Sequence, residues 1–208
     1  MPRQALPLAC HAAAIAAVLF AVTTAPTQGS GRTAADDPAL PGPAGLEELP
    51  ELADLTVRRL LLADAVAAAE FGTATLVADP AGQRELLDAV AEHSVEIGLP
   101  VPTGVGFFRA QIAAAEHVRR GLHERWRARP ALLPHPRSDL AADVRPRLDL
   151  LTPRLLRLLK ETEPVRGVPR RCTPALAEAR RAAETRAGLD RLHRDALTLA
   201  LAPVCAAE

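Results

Sequence analysis

No proline interrupts the chain between Pro50 and Pro80, and over that interval apolar residues return at helical spacing: Leu52, Leu55, Leu60, Leu62, Ala63, Val66, Ala67. Such a strip gives a helix one face to bury, and a helix of about residues 46–71 is expected. No stretch alternates apolar and polar residues with the period of two that a half-buried strand needs. Leu and Ala supply most of the apolar material, which favours helix over sheet. The chain is therefore expected to be all-α: a single-domain bundle of about five to six helices.

Proline and glycine punctuate the rest. Asp79 and Pro80 form an N-cap and first-turn pair for a second helix, which Gly98 ends. Pro100 and Pro102 mark a short link into a third helix, about residues 103–127, that turns Phe107, Phe108, Ile112, Ala115, Val118 and Leu122 toward a core. Residues 128–138 read as a loop. A fourth helix follows Asp139 to about Glu163, accepting Pro146 in its first turns and kinking at Pro153. Thr173 and Pro174 start a fifth, bent or broken at Gly188, and a last helical stretch reaches Pro203.

The first thirty residues are an address. Arg3 precedes an apolar run that ends in small and polar residues near Thr23–Ser30, the pattern of a secretory signal peptide. The uninterrupted apolar stretch from Ala12 to Val22 is short for a membrane span, so no stable membrane insertion is expected after cleavage. Residues 31–50, rich in Pro and Gly, read as a flexible lead-in, and residues 51–208 as the helical domain. Removing the leader takes Cys10 with it and leaves Cys172 and Cys205. An even pair in an exported chain is expected to be a disulfide tying the C-terminal helices, worth about 3–4 kcal/mol by loop closure.

Charge and composition exclude several functions. Lys+Arg and Asp+Glu balance at 25 each, and aromatic residues make up only 2% with no Tyr, so nucleic acid lacks both a positive field and stacking surfaces. The histidines fall at no metal-ligand spacing, and no Gly-rich phosphate loop or nucleophile elbow is present, so no metal and no cofactor is expected. Charged residues among apolar neighbours are the remaining signal. Arg59 and Glu70, eleven apart, lie within about 20° on one helix face. Gln111, Ala115 and Arg119 follow one another at i,i+4 on another. Pattern alone also fits solvated rims of amphipathic helices.

Several stretches in order resemble one family: Arg59-Leu-Leu-Leu-Ala-Asp64-Ala-Val-Ala, Val77-Ala-Asp79-Pro, Gly98-Leu99, Phe107-Phe108-Arg109-Ala110-Gln111-Ile112, and Cys172…Leu189-Asp190-Arg-Leu192…Ala196-Leu197…Cys205. Together with the leader, they are similar to the secreted, gamma-class chorismate mutases, the exported branch of the all-helical AroQ type. The resemblance implies a Claisen rearrangement of chorismate to prephenate without a covalent intermediate, in a secreted or periplasmic setting, on a small dicarboxylate. A homodimer is compatible with it.

Carried over by position, the resemblance assigns substrate binding to Arg59, to Arg145 after one inserted residue, and to Asp79. Elsewhere the family's residues change. Its lysine, the donor to the ether oxygen, falls on Glu70, and the Gln or Glu of the third helix on Arg119. Gly82 stands where the family has an arginine, Gln83 where it has a glutamate, and Ala115 where it has a hydroxyl side chain. Glu70 and Arg119 thus read as a charge-exchanged catalytic pair, with Gln83 and Ala115 as substituted substrate-binding positions. The alternatives are a repurposed or catalytically degenerate member that binds another small acid, or an inactive secreted helical binding protein.

Overall fold

The computed structural model describes residues 44–73 and 79–205, and the leader and the start of the lead-in lie outside them. Seven α-helices occupy the described residues: α1 (Leu49–Glu70), α2 (Pro80–Ile97), α3 (Val101–Ala128), α4 (Arg145–Glu161), α5 (Glu163–Arg166), α6 (Pro169–Ala187) and α7 (Arg191–Leu201). They contain no strand, as the sequence pattern implies. No described helix is long and apolar enough to cross a membrane.

The proline-free segment becomes the centre of the bundle. α1 packs against α3, α4, α6 and α7, burying Leu49, Leu52, Leu55 and Leu60 on that face. α2 packs only against α3 and α4 in any extent. α3 carries Phe107 and Phe108, in edge contact at 5.6 Å, into the same core. Close approach of α3 and α7 depends on Gly121, where an added Cβ would lie 2.6 Å from Leu192 Cδ1.

Two expectations need correction. α4 itself continues without a break through Pro153. The carbonyl that proline leaves without its helical partner belongs to Asp149, which is exposed, so water can serve it. The irregular turn sits upstream, as a widened π turn at Leu140–Val144, capped by Asp139 Oδ1 accepting from the Ala141 and Ala142 amides at 2.8 and 3.1 Å. α6 begins at Pro169 rather than Thr173, because Pro169 suits a helix's first turn and Pro174 is still near enough to the start to be accommodated. Cys172 is thereby buried inside that turn rather than ahead of it. A further short helix, α5, follows α4.

The expected Cys172–Cys205 disulfide is present, with Cα atoms 5.6 Å apart. A polar clamp adds a second tie. His193 on α7 is buried, with Nε2 2.9 Å from Asp64 on α1 and Nδ1 2.6 Å from Asp190, which caps α7. Arg125 on α3 donates to Asp190 at 2.9 Å, so three helices meet in one network. The hydrogen bond to Asp64 is the main reason the imidazole pKa lies above its ordinary value; burial opposes it and Asp190 adds to it. Burial would raise the Asp190 pKa, but bonds from the His193 backbone and ring and from Arg125 hold it well below the usual carboxylate range.

Candidate active site

Four helices enclose a cavity of about 260 Å³. α1 supplies Arg59, Leu62, Ala63 and Val66 to it, and α3 supplies Gln111, Ile112, Ala115 and Arg119. The start of α2 adds Asp79, Gly82, Gln83 and Leu86, and α4 adds Leu148. The walls are mostly aliphatic, so the few charges facing inward act in a poorly screened environment.

Arg59 dominates that electrostatics. Its helix is held by the buried leucines on either side, and its guanidinium lies 5.3 Å from the centroid of the Phe108 ring. Nη1 is buried and has no hydrogen-bond partner. Desolvation lowers the pKa to about 10, which still leaves the group cationic at neutral pH. A buried cation with an unused donor is costly unless an anion completes it. The arrangement is therefore suited to a carboxylate.

The charge-exchanged residues meet on the opposite wall. Arg119 Nε lies 3.2 Å from Glu70 Oε2, with side chains only 14% and 11% exposed. The contact is an ion pair out of hydrogen-bond alignment, and neither atom has another hydrogen-bond partner. Burial raises the Glu70 pKa; Arg119 and then His123 pull it back without cancelling the rise. Arg119 lines the cavity, while Glu70 stands behind it and outside the lining.

The α2 residues are held by local bonds. Asp79 Oδ1 accepts from the Gly82 amide at 3.1 Å and caps the helix. A Cβ at position 82 would lie 2.5 Å from Asp79 Oδ2, so glycine lets this cap close tightly. Gln83 Nε2 donates to Glu116 on α3 at 2.8 Å, and Glu116 is in turn 3.3 Å from Arg120. Ala115 contributes a methyl and no polar atom. Arg145 is exposed at the start of α4 and lies outside the lining, although Leu148, one turn on, is part of it.

The structure thus brings Arg59, Asp79, Gln83, Ala115 and Arg119 to one cavity, sets Glu70 against Arg119, and leaves Arg145 outside. Gln111 belongs to the cavity but was not among the expected site residues. It is buried and donates Nε2 to the Ala200 carbonyl on α7 at 3.1 Å. Its signal was available in the Phe-x-x-Gln-Ile run. Nothing local marks Glu116 as the partner of Gln83, because that contact joins two helices.

Solved structures of similar chains decide the family. The chorismate mutase of Burkholderia thailandensis superposes with a TM-score of 0.72 at 33% identity, over 76% of this chain and 99% of that one. The chain belongs to the chorismate mutase family. A second chorismate mutase structure, from Burkholderia phymatum, gives a TM-score of 0.73 at 30% identity over 78% of this chain and 99% of that one. The secreted chorismate mutase of Mycolicibacterium smegmatis is 29% identical over 154 residues, 74% of this chain and 84% of that protein. No protein-family model matches the chain. Within the chorismate mutase fold, the all-helical AroQ type is the one this architecture fits, and Arg59, Leu62, Ala63, Val66, Asp79, Gln111 and Ile112 of the cavity lining come from the stretches on which the sequence resemblance rests.

Proposed function

We propose that the chain is an exported isomerase that converts chorismate to prephenate in this cavity. One observation carries the reading: the buried Arg59 guanidinium has an unused donor and faces, in the same aliphatic cavity, the tightly held Arg119. In the rearrangement the ether C–O bond breaks as a C–C bond forms within one cyclic transition state, and the ether oxygen gains negative charge. No proton and no covalent enzyme bond is required. The protein's task is to hold the reactive conformer and stabilise that oxygen.

In this reading Arg59 takes a substrate carboxylate through its planar fork. Arg119 turns the outer end of its guanidinium toward the ether oxygen, and Glu70, against Nε, steadies the group and offsets its desolvation. Gln83 and Asp79 offer polar contacts from α2, and Gln111 from α3. Arg145 closes on the second carboxylate at the mouth. The leader at the N-terminus fits secretion, and the secreted relative supports it. Loss of chorismate absorbance on addition of the purified mature chain tests the reading; no turnover by a chain with intact helical circular dichroism would refute it.

A second reading rests on the α2 wall and the mouth. Gly82 brings no cation where the family has an arginine, Gln83 no carboxylate where it has a glutamate, and Arg145 stays exposed. These features fit a repurposed member that holds another small acid. Tight binding of a dicarboxylate transition-state mimic without chorismate loss would favour it.

A further inference from the structure

The leucines that lock α1 into the bundle stop short of its end. From Ala63 to Ala69 the helix presents alanine apart from Asp64 and Val66, and a methyl gives a neighbouring helix little to interlock with. Glu70 is the last residue of α1, so the place of its carboxylate depends on how this final turn is held. Polar contacts hold it. The Glu70 carbonyl accepts from the Thr73 amide and hydroxyl at 3.0 and 2.7 Å, and the Phe71 carbonyl accepts from Arg137 at 2.9 Å. Both of these ties are exposed.

A third tie comes from the core. His123 on α3 is buried, and its Nε2 lies 2.9 Å from the Ala67 carbonyl oxygen, which also accepts the Phe71 amide at 3.0 Å. A carbonyl only accepts, so Nε2 carries the proton and donates. Aromatic neighbours hold the imidazole in place. Phe71 meets it edge-on with centroids 5.4 Å apart, Trp126 lies at 6.0 Å, and Phe71 and Trp126 meet each other edge-on at 5.5 Å. Arg119 and His123 are four apart on α3 and so share a face. α3 therefore grips the end of α1 at two successive turns. Arg119 Nε stands 3.2 Å from the Glu70 carboxylate, and His123 holds the backbone three residues earlier. The imidazole also acts on Glu70 directly: burial raises that carboxyl's pKa, Arg119 draws it back, and His123 follows Arg119 in doing so.

The geometry points to His123 as a positioning residue for the charge-exchanged pair: through the Ala67 carbonyl it fixes the last turn of α1, and with it the place where Glu70 meets Arg119. The pair cannot fix that place by itself, because the facing atoms are out of hydrogen-bond alignment. The backbone of α1 must therefore carry the register. His123 does not line the cavity, so it acts on the reaction only through Glu70 and Arg119. Its effect on turnover rests on the reading in which Arg119 faces the ether oxygen. Its hold on the pair does not depend on which acid the cavity takes.

Kinetics and nitrogen NMR of the purified chain test this together. His123→Phe keeps a ring beside Phe71 and Trp126 but loses the donor, His123→Leu loses both, and His123→Gln keeps an N–H at a similar reach. On chorismate, His123→Phe lowers kcat about tenfold or more with KM within about twofold, and His123→Gln returns to within about threefold of wild type. In a Glu70→Gln background, His123→Phe changes kcat by less than about twofold, because the pair it positions is gone. A loss of full size in that background overturns the proposal, since His123 would then act on the fold alone. The Arg119 Nε–H resonance, identified by its absence in Arg119→Lys, reads the pair without turnover. It exchanges with solvent at least about tenfold faster in His123→Phe and His123→Leu than in wild type and His123→Gln. Equal exchange in all four overturns the proposal. So does an imidazole in wild type whose proton sits on Nδ1 alone, a result that needs no variant to fold. A wild type without chorismate turnover refutes the isomerase reading, and the two NMR results then decide the role of His123 on their own.

Discussion

The two helices that face each other across the cavity are built to different standards. α1 buries ten of its 22 residues and touches four other helices. α2 buries two of its 18 and leans on two. Arg59, the proposed carboxylate-binding residue, stands on the first, among buried leucines of the core. Asp79, Gly82 and Gln83 stand on the second, where positions depend on a cap and one cross-helix hydrogen bond. The buried cation stands on the firmly packed wall, and two of the substituted positions, Gly82 and Gln83, stand on the lightly held one.

The sharpest way to break this contrast is to empty each wall in turn. Arg59→Ala removes the unpaired buried cation and is expected to cost about 2–5 kcal/mol of transition-state binding, roughly 30- to 5,000-fold in kcat/KM, with helical circular dichroism unchanged. A variant within twofold of wild type would make Arg59 a structural charge only. Next comes stability. Leu52→Ala in α1 is expected to lower unfolding free energy by about 2–5 kcal/mol, whereas Leu86→Ala in α2, partly exposed, costs about 1–2 kcal/mol. Equal losses in urea titrations would show that α2 is as firmly held as α1.

The clamp between α1, α3 and α7 sharpens the comparison through pH. The His193 pKa is raised by folding, so the stability it contributes is fully present below about 6.5, the ordinary imidazole value, and is lost as pH rises through the folded value. Thermal midpoints should therefore fall on the alkaline side of neutrality, and His193→Gln should flatten that slope. Both carboxylates are 43% exposed, so the network is screened and the substitution should cost only about 1–3 kcal/mol. A wild-type slope that persists in His193→Gln would place the titrating group elsewhere. Smallest is the α2 cap: Asp79→Ala should cost about 1 kcal/mol of stability and raise KM more than it lowers kcat.

Much of this was legible in the chain itself. The helical period and the absence of proline from Pro50 to Pro80 announce α1, and Asp79-Pro80 and Gly98 bracket α2 to the residue. The two cysteines that remain after the leader announce their bond. That α4 continues past Pro153 could not be read from the chain, because a proline's cost depends on whether the orphaned carbonyl can reach water, and that is a tertiary fact. His193 escaped notice because its partners lie 129 and three residues away, and only the first joins helices. Spacing placed Arg59 and Glu70 on one face, but that Arg119 would reach Glu70 followed from the family resemblance rather than from any local signal. Arg145, read on the same basis, is exposed in the folded chain.

The central claim is that Glu70 and Arg119 are one functional unit with its charges exchanged, and a double-mutant cycle on chorismate turnover and stability tests it most directly. Glu70→Lys sets two cations together and Arg119→Glu two anions, so each alone should lower both turnover and stability. Glu70→Lys/Arg119→Glu restores opposite charges and should recover stability with a coupling of about 0.5–3 kcal/mol, and should keep or raise turnover because a lysine then faces the ether oxygen. Additive effects, with no recovery in the double variant, would contradict the account.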